Sequence, residues 1–63
     1  MGAIREFIVT ASAGDHSIRC GTYSARTPAD ALNMARQDKE LWVAIHLDVQ
    51  KSDLIWEVEE DFL

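Results

Sequence analysis

The sequence predicts an α+β domain: a four-stranded, largely antiparallel sheet with one helix across one face, in the order ββαββ. Three observations carry that expectation. Two segments near the start alternate apolar and polar residues across a short turn, a capped helical segment follows, and two further alternating segments come after it. The 63 residues make one small domain, 1–63. A chain of this length buries only about 60% of the surface its unfolded form exposes, so its stability is modest.

IREFIVTA, residues 4–11, sets Phe7, Val9 and Ala11 on one side and is rich in β-branched and aromatic residues, which predicts a strand. SAGD, 12–15, is a turn in which Gly14 is free to take a positive φ. HSIRCGTYSA, 16–25, alternates again, with Ile18, Cys20 and Thr22 opposite Arg19, Gly21 and Tyr23. The short connection makes the two strands an antiparallel hairpin.

In TPADALNMARQDKE, 27–40, Thr27 caps a helix of about three turns and Pro28 takes its first position, where a missing N–H is harmless. Asp30 suits the positive end of the helix dipole, and Arg36 and Lys39 suit the negative end. Ala31, Leu32 and Ala35 line one apolar stripe with Met34 beside it, and the small residues let the helix lie close on a sheet.

LWVAIHLDVQ, 41–50, alternates almost without fault. Leu41, Val43, Ile45, Leu47 and Val49 point one way, and Trp42, Ala44, His46, Asp48 and Gln50 the other, which predicts a central strand. KSD, 51–53, is a turn. In the closing LIWEVEEDFL, 54–63, a strand turns Leu54, Trp56, Val58 and Phe62 inward. It turns Asp53, Ile55, Glu57, Glu59 and Asp61 outward, with Glu60 alone out of step. Leu54, Ile55, Val58 and Phe62 also fit helical spacing, with Ser52 as a cap. The β-rich LIW, placed after a turn, favours the strand.

The net charge of −5 is uneven. Residues 1–37 set Arg5, Arg19, Arg26 and Arg36 against Glu6, Asp15 and Asp30, a balance of +1, which leaves −6 on residues 38–63. Direct nucleic-acid binding needs a basic footprint and is not expected. An acidic face suits basic protein surfaces instead, by electrostatic steering. The single cysteine, Cys20, allows no internal disulfide and fits a reducing, cytoplasmic setting. Residues 1–15 do not read as a signal peptide, and no apolar run approaches the roughly 20 residues that span a bilayer, so a soluble protein is expected.

Little in the chain points to catalysis. His16 and Cys20 share a strand face but lie about 13 Å apart along it, whereas a nucleophile and its base must come within about 3 Å. Cys20 is expected as a small buried hydrophobe. His46 and Asp48 sit about 7 Å apart on one face, which suits a surface pair better than a metal centre with three or four converging ligands. Gly14 and Gly21 precede neither a helix nor a phosphate-binding lysine. No catalytic residue, metal or cofactor is expected, and the chain does not read as an enzyme.

The uncovered face of the predicted sheet gathers the candidate partner-binding residues Trp42, His46, Asp48, Ile55, Glu57, Glu59 and Asp61. Alternate carboxylates on a strand stand roughly 7 Å apart, comparable with the step between successive phosphates along a nucleic-acid strand. The face can therefore imitate nucleic acid and occupy a basic groove, or it can simply be solvated and resist edge aggregation. Trp42 and Ile55 add the apolar anchors common at binding hot spots. They would equally serve a small structural or assembly module that forms a homodimer through the open sheet face.

The overall layout, the TPADALNMARQD helix and the acidic WEVEEDFL segment resemble small phage-encoded anti-defence inhibitors, anti-CRISPR proteins among them. That resemblance implies a non-enzymatic inhibitor in the host cytoplasm that binds a nuclease or RNA-guided complex and blocks its access to DNA. It carries over no individual site residue.

Overall fold

The computed structural model describes residues 3–61. It contains β1 (Arg5–Ala13), β2 (His16–Ala25), α1 (Pro28–Leu47), a 3-10 turn (Lys51–Asp53) and β3 (Ile55–Glu60). The sheet has three antiparallel strands in the order β2-β1-β3, with α1 packed on one face. The expected fourth strand over 41–50 does not form: residues 41–47 continue the helix and 48–50 lead out of it, so the order is ββαβ.

The helix starts as the sequence predicts. Thr27 is extended at φ −135°, its Oγ1 accepts the Asp30 N–H at 3.1 Å, and Pro28 follows at the first helical position. It then runs for 20 residues rather than three turns. No glycine or proline interrupts Ala29–Leu47, and lengthening an existing helix adds a hydrogen bond per residue without a second nucleation. The alternation of Leu41, Val43, Ile45 and Leu47 is overruled by a four-residue spacing: Ala31, Ala35 and Val43 are fully buried, and Leu47 packs against the core.

Termination falls at Asp48, which takes the left-handed conformation at φ 58° and ψ 49°. Its N–H donates to the Ile45 carbonyl at 3.1 Å and that of Val49 to the Ala44 carbonyl at 3.0 Å. This pair of bonds is a Schellman close, with an aspartate where glycine is usual.

The hairpin turns at Gly14–Asp15, with Gly14 at φ 59°. Its pairing shifts between Val9 and Thr10: Val9 faces Gly21 and Thr10 faces Arg19, which leaves Cys20 as the extra residue of a bulge. Gly21, at φ 145°, supplies a backbone angle that other residues resist. The bulge resets the alternation along β2. Ile18 and Cys20 face α1 as expected, but beyond the bulge it is Tyr23 and Ala25 that do so, while Thr22 turns away.

β3 is a strand, as favoured, and pairs with β1 from Phe7–Glu60 to Ser12–Ile55. Leu54 is buried, and Trp56 and Val58 pack against the core. Phe62, expected to face inward with them, lies outside the described residues. Glu60, the residue out of step with the pattern, pairs with Phe7 on the helix side and meets Arg5 Nη1 at 2.9 Å. Arg5 also lies 5.3 Å from the Phe7 ring, so an apolar stem and a satisfied charge cover that end of the core.

The buried core is thin. Phe7, Val9 and Val43 are its only large, fully buried side chains among the described residues, and five of its ten members are alanines. Ala31 and Ala35 bring α1 close to the sheet, and the molecule measures 39 × 20 × 13 Å.

Candidate protein-binding surfaces

The seven candidate residues divide among three places. Ile55, Glu57 and Glu59 lie on the face of the sheet away from α1, as expected, and all three are exposed. Asp61 follows β3 and is half-buried; its N–H donates to the Glu6 carbonyl at 2.9 Å, which extends the pairing by one step. Trp42 and His46 are not on the sheet, because the strand that was to carry them is helix. Their rings stack on the outside of α1 with centroids 5.0 Å apart and planes 18° from parallel. Asp48 closes that helix. The expected row from Asp48 across to Glu57 therefore does not exist, and neither does an open-face pairing of Trp42 with Ile55.

What remains on the open face is compact. Glu57 pairs with Thr10 and Glu59 with Ile8, and Glu6 lies on the same side of β1. Diagonal neighbours across two strands stand roughly 7–8 Å apart, close to the spacing of Glu57 and Glu59 along β3. Ser24 Oγ donates to Glu6 at 3.1 Å. Among the described residues neither Glu57 nor Glu59 meets a cation, whereas Glu60 and Glu40 on the helix side are paired with Arg5 and Arg36. Glu57 and Glu59 thus place two unpaired carboxylates side by side on the open face of the sheet. Ile8, Thr10, Glu57, Val58 and Glu59 line a shallow hollow there.

The helix surface carries a different pattern. Leu41, Trp42 and Ile45 are 64%, 51% and 71% exposed, and Met34 is 43% exposed. Lys39 Nζ sits 5.4 Å from the Trp42 ring centroid, a cation–π contact. The two histidines, placed on separate strands by the sequence, come to one hollow lined by His16, Ser17, Ile18, His46 and Leu47. Among the described residues no group of three His, Cys, Asp or Glu side chains could hold a metal. Cys20 is buried, and that burial pushes its thiol up from the ordinary range, which keeps it protonated and a poor nucleophile.

Tyr23 was not singled out by the sequence, because the bulge that turns it toward α1 was not read from Gly21. A glycine inside an alternating strand is the available signal for such a bulge. Its hydroxyl donates to Asp38 at 3.0 Å and ties β2 to the middle of the helix. Burial, then the bond to Asp38 and its charge, pushes the phenol up to about 12 from 10.0. A raised value means that the folded state holds the proton more tightly. The associated stability is whole below about pH 10 and is lost as pH climbs through about 12. Tyr23 is the only tyrosine, so tyrosinate absorbance reports it alone. The expected midpoint lies near 12. Asp38→Asn lowers it only part of the way towards the ordinary value, because burial is the larger cause.

No protein-family model, curated protein or solved structure matches the chain. Among the described residues no helix is long and apolar enough to cross a membrane.

Proposed function

We propose that the protein is a non-enzymatic, protein-binding inhibitor whose acidic sheet face occupies a basic, nucleic-acid-binding groove on its partner. A nuclease or RNA-guided complex is the kind of target meant, in the manner of phage anti-CRISPR and other anti-defence proteins, and the setting is cytoplasmic. The observation that carries the reading is the unpaired group of Glu57 and Glu59, with Glu6 beside them, on a face that no element of the described chain covers. Like charges so placed disfavour the sheet locally, and a cationic groove relieves that repulsion. The same face repels phosphate, so a direct nucleic-acid complex is not part of the proposal.

The test is affinity capture from a lysate with the wild-type chain beside Glu57→Gln/Glu59→Gln. The expected result is a basic, nucleic-acid-binding protein held by the wild type and weakened at least about tenfold by the variant. The loss should be largest at low salt, because exposed charges are screened beyond about 10 Å at 0.1 M. Equal capture by both chains would overturn the proposal and move the contact to the helix.

A further inference from the structure

The sheet ends at β3 without cover. In the order β2-β1-β3 both outer strands are edges, and among the described residues no strand pairs with the far side of either. The two edges differ. β2 is broken at Cys20 by the bulge and at Gly21 by its positive φ, which disrupts the ladder that a further strand would extend. β3 runs in unbroken register with β1 from Ile55 to Glu60, and IWEVEE holds no glycine, proline or lysine to blunt it.

The register fixes which backbone groups face outward. The Asp61 N–H donates to the Glu6 carbonyl, and hydrogen-bonded positions alternate along an antiparallel pair. Ile55, Glu57 and Glu59 therefore direct their N–H and C=O groups to β1. Those of Trp56, Val58 and Glu60 point away from the sheet, a row of free donors and acceptors repeating about every 7 Å. The side chains follow the same alternation. Ile55, Glu57 and Glu59 are exposed on the open face, whereas Trp56 and Val58 are half-buried against the core.

We infer that the β3 edge is a strand-addition site whose occupant is an extended partner segment, alternating Lys or Arg with apolar residues and bound antiparallel as a fourth strand. This site rests on the acidic-face reading above and gives that face a partner of definite shape. Charge selects the occupant. A residue directly opposite one on β3 shares its face, with Cβ atoms about 4.5–5.5 Å apart. Positions opposite Glu57 and Glu59 thus meet carboxylates that no cation among the described residues satisfies, which favours Lys or Arg there. A second copy of β3 would bring like carboxylates together and is disfavoured. Positions opposite Trp56 and Val58 fall on the helix side, where an apolar residue extends the burial of their flanks. Main-chain bonds then supply the attachment and alternate side chains the choice of partner.

Isothermal titration calorimetry at low salt tests the site with a capped seven-residue peptide, Lys-Val-Lys-Val-Lys-Val-Lys, and two backbone-methylated forms of it. In the antiparallel pairing valines lie opposite Trp56 and Val58 and aim their N–H groups at β3, while those of the lysines point away. The plain peptide should bind saturably. Methylating the valine nitrogens should weaken it at least about tenfold, and methylating the lysine nitrogens should change little. Glu57→Gln/Glu59→Gln, at two exposed positions that leave the core intact, should weaken the plain peptide about tenfold. No saturable binding to the wild type, or two methylated forms that behave alike, would overturn the edge site and leave the acidic-face reading to its own capture test. Binding untouched by Glu57→Gln/Glu59→Gln would overturn the acidic face itself, and this choice of occupant with it.

Discussion

Val43→Asp is expected to leave the chain unfolded at neutral pH, while Leu41→Asp, two residues earlier, leaves it folded. Val43 is fully buried between α1 and the sheet and Leu41 is 64% exposed. A strand over 41–50 would have buried both; the helix turns them to opposite sides. An unpaired carboxylate at Val43 costs about 4 kcal/mol or more, since no buried cation or donor is there to receive it. A domain of this size has about 3–9 kcal/mol in total, at roughly 0.05–0.15 kcal/mol per residue. Leu41→Asp exchanges one solvent-facing side chain for another and leaves the core intact. Far-UV circular dichroism and urea titration of both variants check the contrast, and equal loss in the two would restore the strand reading.

Phe7→Ala should remove most of the remaining margin by a different route. Phe7 is 1% exposed on β1, the strand paired on both sides, and it pairs with Tyr23 and Glu60. Truncating a buried phenylalanine costs about 3–5 kcal/mol, through lost transfer energy and the cavity left behind. A core half of whose members are alanines has no large side chain to spare for that space. The fall should appear as a lower urea midpoint with an unchanged slope. A shift below about 1 kcal/mol would mean that Phe7 does not organise the core.

Much of this was legible in the residues themselves. The hairpin follows from its alternation and from Gly14, and the start of α1 from Thr27 and Pro28, because these are local effects. β3 and its outward Glu57 and Glu59 were equally accessible, since a strand with one buried face can show only one register. The second half of α1 was not, because KELWVAIHLD satisfies both periods at once. Leu41, Val43, Ile45 and Leu47 repeat every two residues, while Ala31, Ala35, Val43 and Leu47 fall on steps of four. What decides between them is continuity with the helix already begun, which is a tertiary and cooperative effect. Trp42, His46 and Asp48 were misplaced for that reason alone. Tyr23 was missed because a single bulge residue inverts everything after it.

The strand order also has a kinetic consequence. β1 sits between its hairpin partner and β3, and the second pairing joins Phe7 to Glu60 across nearly the whole chain. The β1–β2 hairpin and α1 are local and can form within microseconds. Closing the β1–β3 edge must wait for the long loop and pay its closure entropy. During synthesis β1 therefore presents an unpaired edge until β3 has been made, and that edge is the nascent chain's most exposed template for wrong pairing.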